Sequence, residues 1–189
     1  MNDSNERYWL CVYCGSRDGV DPRFRAAAEG LGTALAAAGF GLVYGGARVG
    51  LMGAVADAAL AGGAPVHGVI PRGLSDRELA HHGLTRLDVV ETMHQRKMAM
   101  IEAADAFVAM PGGFGTLEEL FEVVTWGQIG WHEKPVGLLD VAGFYQPLVT
   151  CMRHMRDQGF VAETHVERIV VEAEPTPLVE TLFSRVAVR

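Results

Sequence analysis

Cysteine and lysine are scarce in this chain, and no stretch of it stays apolar for long. Its three cysteines, Cys11, Cys14 and Cys151, are an odd number, which argues against a disulfide framework. Cys11 and Cys14 form a CxxC on an expected strand, where residues three apart face opposite sides, so neither a dithiol nor a metal clip follows. The seven histidines show no HExxH or comparable metal spacing, and His81 and His82 adjoin on a polar loop. The histidines therefore read as surface residues, and no metal is expected. No apolar run reaches the length of a membrane span, and Met1 to Arg7 is polar, without the basic-then-apolar order of a leader. A net charge of −7 makes a nucleic-acid backbone a poor partner. The expectation is a cytoplasmic globular protein with neither membrane nor nucleic acid as a partner. A length of 189 residues suits one domain over 9–189, behind a mobile tail at 1–8.

What the chain has is alternation. Apolar runs at Trp9–Tyr13, Gly41–Tyr44, Pro65–Ile70, Arg86–Val90, Ala106–Ala109, Pro135–Leu139 and Val166–Val171 read as strands. Helices are expected between them: from Pro22 to Ala38 with a stop at Gly39, up to about Ala61, from Thr92 to about Ala103, after Thr116, over Phe144–Asp157, and over Pro177–Arg185. Pro71 to Gly83 is polar and rich in turn formers, a loop or short helix. Glu78 on it is either a ligand contact from a lid or a solvated charge. Such alternation predicts an α/β fold: a Rossmann-like, doubly wound parallel sheet of about seven strands, with helices on both faces. In these sheets ligands lie beyond the carboxyl ends of the strands. Three glycine-bearing loops follow strand ends here: Cys14-Gly15-Ser16, the loop from Gly45 and Gly46 to Gly50, and Gly112 to Gly115. The fold gathers them at one edge, which favours a nucleotide-like ligand.

The third loop carries most. An expected strand ends at Ala109, three glycines follow at Gly112, Gly113 and Gly115, and an amphipathic helix opens after them, with Leu117, Leu120, Phe121, Val124 and Ile129 as its buried face. Glycines admit positive φ and close approach of a ligand to the backbone. A helix start offers unpaired N–H groups and partial positive charge. Strand, loop and helix together suit an anion, most often phosphate. A plainer reading stands beside it: Thr116 with Glu119 also matches a capping box, which any helix can use. The loop from Gly45 to Gly50 is neither a Walker A motif nor a clean GxGxxG, and tight packing of a helix on a strand would equally explain Gly50 and Gly53.

Arg96 and Lys97 break a local rule. They stand in or just after the first turn of the helix opened by Thr92 and Gln95, where positive charge is unfavourable by about 0.3–1 kcal/mol each. A residue that breaks such a rule is a functional candidate. The alternative is a surface ion pair of Arg96 with Glu91 or Asp88, worth little.

The nonapeptide Pro111-Gly112-Gly113-Phe114-Gly115-Thr116-Leu117-Glu118-Glu119 matches the PGGxGTxxE signature, and the chain thereby resembles the Lonely Guy family of phosphoribohydrolases acting on cytokinin nucleotides. Cys14-Gly15-Ser16, Tyr44-Gly45-Gly46 with Gly50-Leu51-Met52-Gly53, and Met93-His94-Gln95-Arg96-Lys97 follow in the family's order, over about residues 9 to 160. Ala47 departs from the pattern where many relatives carry a third glycine. The resemblance implies Arg96 and Glu119 as catalytic residues. It implies a substrate site drawn from Gly15, Ser16, Gly45, Gly46, Met93, Lys97 and the signature residues Gly112 to Glu118, beside which Glu78 stays a candidate contact from the loop reading. The implied ligand is a nucleoside 5′-monophosphate, its phosphate on the Gly113–Thr116 amides and its adenine on apolar side chains such as Met93 or Trp126, although core packing also explains Trp126. The implied reaction is hydrolysis of the N-glycosidic bond, with no cofactor, in a homodimer whose sites lie near the subunit interface. Two other readings stay open. One is a nucleotide or cofactor carrier without chemistry. The other is a pyridoxal-phosphate amino-acid decarboxylase, which needs a Schiff-base lysine and has only Lys97 and Lys134 to choose from.

Overall fold

A computed structural model describes residues 7–75 and 79–188. Its strands are β1 (Trp9–Tyr13), β2 (Gly41–Tyr44), β3 (Val66–Pro71), β4 (Arg86–Val90), β5 (Ala106–Ala109), β6 (Val136–Leu139) and β7 (Ile169–Glu172). The helices are α1 (Pro22–Ala37), α2 (Gly50–Ala61), a single turn α3 (Arg72–Leu74), α4 (Met93–Ala103), α5 (Phe114–Gln128), α6 (Gln146–Asp157), α7 (Glu163–Glu167) and α8 (Pro175–Ala187). The strands form one sheet in the order β4-β3-β2-β1-β5-β6-β7, and every pairing is parallel.

That order explains the two layers of helices. The chain steps outward from β1 to β4, then crosses back to β5 and steps outward the other way. Right-handed crossovers place helices on opposite faces when the direction of stepping reverses. Accordingly α1, α2 and α8 pack one face through Leu31, Leu35, Val55 and Leu182, while α4, α5 and α6 pack the other through Met100, Ile101, Leu120 and Val149. The inner strands β1, β2, β5 and β6 are buried on both sides, so they read as unbroken apolar runs. Cys11 joins one face and Cys14 the other, as a CxxC on a strand requires.

Local chemistry sets the helix ends. Asp21 caps α1 by accepting from the Arg23 amide at 2.9 Å, Pro22 takes the first position, and Gly39 at φ 83° closes it. Thr92 and Gln95 form the expected capping box on α4.

Four expectations need correction. Residues 1–6 lie outside the described residues, but Tyr8, assigned to the tail, is half-buried with its ring edge-on to Phe183 at 5.9 Å. The last strand begins at Ile169, because Val166 belongs to α7. Not all histidines are surface residues: His67 is buried in β3 and bonds Asp88 at 2.9 Å. On α5 Leu117 and Val124 pack against the core as expected, but the most deeply buried residues are Thr116, Glu119, Leu120 and Val123, while Phe121 and Ile129 are exposed. Two of those four inward positions are polar, and apolar periodicity cannot see them.

Helices α1 and α2 approach closely at Gly32 of α1, where an added Cβ would lie 2.5 Å from the Val55 carbonyl oxygen and 2.7 Å from Ala58 Cβ in α2. Glycine to alanine inside a helix ordinarily stabilises by up to about 1 kcal/mol, whereas overpacking costs about 1–3 kcal/mol. Gly32→Ala should therefore lower the melting temperature by a few degrees, and a rise on calorimetry would show that α1 and α2 can part freely.

Candidate functional site

The strand order puts the point of reversal between β1 and β5, and ligands of doubly wound sheets lie beyond the carboxyl ends at that point. The segments emerging there are Cys14-Gly15-Ser16 and the signature loop. They are fastened together: the Gly15 amide donates to the Pro111 carbonyl at 3.1 Å, and an added Cβ on Gly15 would sit 3.4 Å from Gly112 Cα. The Tyr145 hydroxyl, buried behind the loop, donates to the Met110 carbonyl at 2.5 Å. A cavity of about 520 Å³ opens above them.

The signature glycines do not work as expected. None of the three has positive φ. Gly112 is required by space, since a Cβ there would meet Thr116 Oγ1 at 2.1 Å. Gly113 and Gly115 have nothing within 4 Å of an added Cβ, so their lack of a side chain leaves the approach to the backbone open. The capping box at Thr116 and Glu119 is absent. Helix α5 begins three residues earlier, with Gly113 as N-cap and no side chain capping it. The Leu117 amide is the one that turns back to the Gly113 carbonyl, at 3.1 Å. The amides of Phe114, Gly115 and Thr116 are thus those a helix start leaves for an anion. Thr116 and Glu119 are freed from capping and point inward.

The loop after β2 serves the site indirectly. Gly50, at φ 58°, packs against the backbone of Ser16, where an added Cβ would lie at 2.3 Å, so this loop buttresses the first. Gly45 makes room for Arg96: an added Cβ would stand 1.9 Å from its Nη2. Arg96 is buried, 5% exposed, and its guanidinium donates from Nη2 to the Gly45 carbonyl at 3.1 Å and from Nε to the Val69 carbonyl at 3.2 Å. The expected surface alternative fails, since Glu91 pairs with Arg72 and Asp88 with Arg86 and His67.

Arg96 and Glu119 line the same cavity, with Gly15, Ser16, Met93 and the signature residues Gly112 to Thr116 and Glu118. Glu119 is 8% exposed. Burial pushes its carboxyl up to about 7; Arg96 and Lys97 pull it down, and Glu118 and Glu122 push it up. Gly45, Gly46, Lys97 and Leu117 do not line the cavity. Gly45 holds Arg96, Gly46 at φ 74° packs on Ile70 and Leu87, Leu117 packs toward the sheet, and Lys97 pairs with Glu118 and Glu122. Glu78 lies outside the described residues. Trp126 does not line the cavity either; its ring stands edge-on to Trp131 at 5.2 Å. Ala47 is buried away from it, bridged to Ala80.

Sequence reading missed Arg17, Phe24, Met52 and Phe144, all on the cavity wall. Arg17 follows the first glycine loop directly and was within reach of the loop argument. Phe24 and Phe144 meet edge to face at 5.7 Å from segments 120 residues apart, a pairing no local pattern reveals.

Fold and site define a Rossmann-like α/β protein with a helix-start anion cradle beside a buried carboxylate and guanidinium. A family model described as "Possible lysine decarboxylase" matches residues 52–182. A cytokinin riboside 5′-monophosphate phosphoribohydrolase of Rhodococcoides fascians is 49% identical over 163 residues, 86% of this chain and 82% of its own. Its namesake in Arabidopsis thaliana is 47% identical over 174 residues, 92% and 80% of the two chains. This chain belongs to that family of cytokinin riboside 5′-monophosphate phosphoribohydrolases. Among solved structures, the molybdenum cofactor binding protein of Rippkaea orientalis superposes with a TM-score of 0.74 at 20% identity, covering 97% of this chain and 99% of its own. The molybdenum cofactor carrier protein of Chlamydomonas reinhardtii gives 0.73 at 18%, covering 97% and 100%. At such identity these share the fold.

The decarboxylase description does not suit the residues present. Pyridoxal phosphate needs a lysine in the site. Lys97 is buried between two carboxylates, Lys134 Nζ donates to the Ile101 carbonyl at 2.7 Å, and neither lines the cavity.

A carboxyl raised on folding binds its proton more tightly in the folded state. Its contribution to stability is therefore full below the ordinary value of 4.5 and is lost as pH rises through about 7, on the order of 3 kcal/mol in all. Glu119→Gln removes that dependence. Melted side by side at pH 5 and pH 8, the variant should gain several degrees on wild type at pH 8 only. An equal difference at both would mean Glu119 is not held in this way.

Proposed function

We propose that this protein hydrolyses the N-glycosidic bond of adenosine 5′-monophosphate or an N6-substituted, cytokinin-type derivative, releasing the free base and ribose 5-phosphate. The observation that carries the reading is Glu119 and Arg96 lining one cavity with the uncapped start of α5. The 5′-phosphate takes the amides of Phe114, Gly115 and Thr116, and the ribose then lies over Glu119. As the bond from C1′ to the base breaks, its electron pair leaves with the base and the sugar takes on oxocarbenium character. The Glu119 carboxylate faces that positive charge, orients a water and accepts its proton as oxygen bonds to C1′. The departing base takes a proton from solvent. A carboxyl near 7 is poised for such a base near neutral pH. Arg96 keeps the neighbouring charge balanced and can donate to the ribose phosphate. Met93, 48% exposed on the cavity wall, offers an apolar surface to the adenine. A pure carrier would gain nothing from burying an unpaired acid there.

The same reading includes a homodimer. Phe114 stands at the cavity mouth 93% exposed, and a second copy seated there would cover it and Met93. The free thiols of Cys11, Cys14 and Cys151 fit the reducing cytoplasm. Among the described residues no helix is long and apolar enough to cross a membrane.

A product assay tests the phosphate assignment. AMP and N6-substituted AMP should yield free base, while the matching nucleosides should turn over at least about a hundredfold less well, the scale of losing charge-assisted hydrogen bonds. Equal turnover of adenosine and AMP would remove phosphate from the loop.

Variants of the paired residues test the chemistry. Glu119→Gln and Glu119→Ala should both be nearly inactive, and neither removes a cap. Arg96→Lys should also be poor, since a point charge cannot span two carbonyls and a ligand. Gly45→Ala should resemble it, because the new methyl occupies the guanidinium's place. Wild-type turnover in Gly45→Ala would show that Arg96 need not lie where it does.

A further inference from the structure

Lys97 follows Arg96 in α4 but does not enter the cavity. Its side chain is about 10% exposed and runs to α5, where Nζ pairs with Glu118 and, at 3.1 Å, with Glu122. These two acids lie four apart on one helix and flank Glu119 in sequence. Glu122 Oε2 is buried and has no hydrogen-bond partner. Burial opposes the charge on Lys97, but the bonds to Glu118 and Glu122 outweigh it and hold the ammonium above its ordinary range. Three carboxyl groups on little more than one turn of α5 are thus faced by two cations on the first turns of α4.

The other titratable groups around Glu119 come from β1 and the residue after it: Cys11, Tyr13 and Cys14. Burial raises all three, so they stay neutral through the physiological range and leave the field at Glu119 to Arg96, Lys97, Glu118 and Glu122. Arg96 is committed to two backbone carbonyls. Lys97 is the group placed to neutralise the flanking acids.

We propose that Lys97 is a positioning residue for Glu119: by clamping Glu118 and Glu122 it keeps their charge off the neighbouring carboxyl and sets the pH above which the enzyme is active. This rests on Glu119 acting as a carboxylate in the proposed reaction. A lysine that merely fastened α4 to α5 would add stability without moving the pH profile.

The test is a charge cycle read on the acidic limb of kcat/KM against pH, with AMP as substrate. Lys97→Met should move the midpoint of that limb upward by about one pH unit, the low end for a neighbouring charge. Glu122→Gln should move it downward, the double variant should fall between them, and Lys97→Arg should restore the wild-type limb. Opposite shifts cannot come from loosened packing. If Lys97→Met fails to fold, Glu122→Gln carries the test alone, and an unmoved limb there overturns the proposal. Glu119→Gln separates the two layers. Should it keep turnover, the reading of Glu119 falls; should it be dead while both limbs stay in place, only the clamp falls.

Discussion

The site depends on a guanidinium buried against backbone. Arg96 leaves water to donate to the carbonyls of Gly45 and Val69, at or near the carboxyl ends of β2 and β3. A buried cation is expensive unless it is hydrogen-bonded and paired. The carbonyls supply the first requirement, and the field of the neighbouring Glu119 works toward the second without a direct ion pair. The arrangement constrains much else. Gly45 can bear no side chain, α4 must start where β3 delivers its carbonyl, and α5 must present Glu119 across from it. The sheet order makes this feasible, since β1 and β5 stand side by side and both cavity-facing helices belong to one layer.

The acid gains from this placement what it loses in solvation. Burial alone would drive Glu119 to stay protonated, and the Arg96 charge draws it back toward the ionised form. A carboxyl in that range can exchange a proton with water near physiological pH, which one at an exposed helix position could not do. The helix carrying it adds a second field: the positive end of α5 points at the cavity, so phosphate and carboxylate are set at successive turns along one axis. Their spacing comes from the helix itself, which makes it rigid.

How much of this was legible depended on whether the signal was local. Strand runs such as Ala106–Ala109 and caps such as Thr92 with Gln95 are local, and the structure has them where the residues place them. Arg96 was legible because it violates a helix-end rule, and that violation marked it without any view of Val69 or Gly45. Glu119 was ambiguous, because the same spacing serves a capping box. Only the true start of α5, at Phe114, removes that alternative. Lys97 was read toward the ligand because nothing in sequence tells which way a side chain leaves a helix. The inward face of α5 was legible at Leu117, Leu120 and Val124 but not at Thr116 and Glu119, which are polar residues in core positions, and a functional site is where such violations are expected. Phe24 and Phe144 were beyond reach, since their meeting is a product of the fold.

The comparison with cofactor carriers sharpens what the fold does and does not supply. Those proteins share the architecture at about 20% identity, and an architecture does not fix a function. In this chain the sheet order brings glycine loops and a helix start to one edge. An anion cradle of that kind is enough to bind. Chemistry needs a group whose charge can change within the bound complex, and here that group is made by burial: Glu119 is inside, opposed by one cation and crowded by two acids that Lys97 occupies. Taking away the cavity's apolar walls would return the carboxyl to its ordinary range even with every polar residue kept. The proposed catalytic power therefore resides as much in the burial of Glu119 as in the pair that faces the sugar.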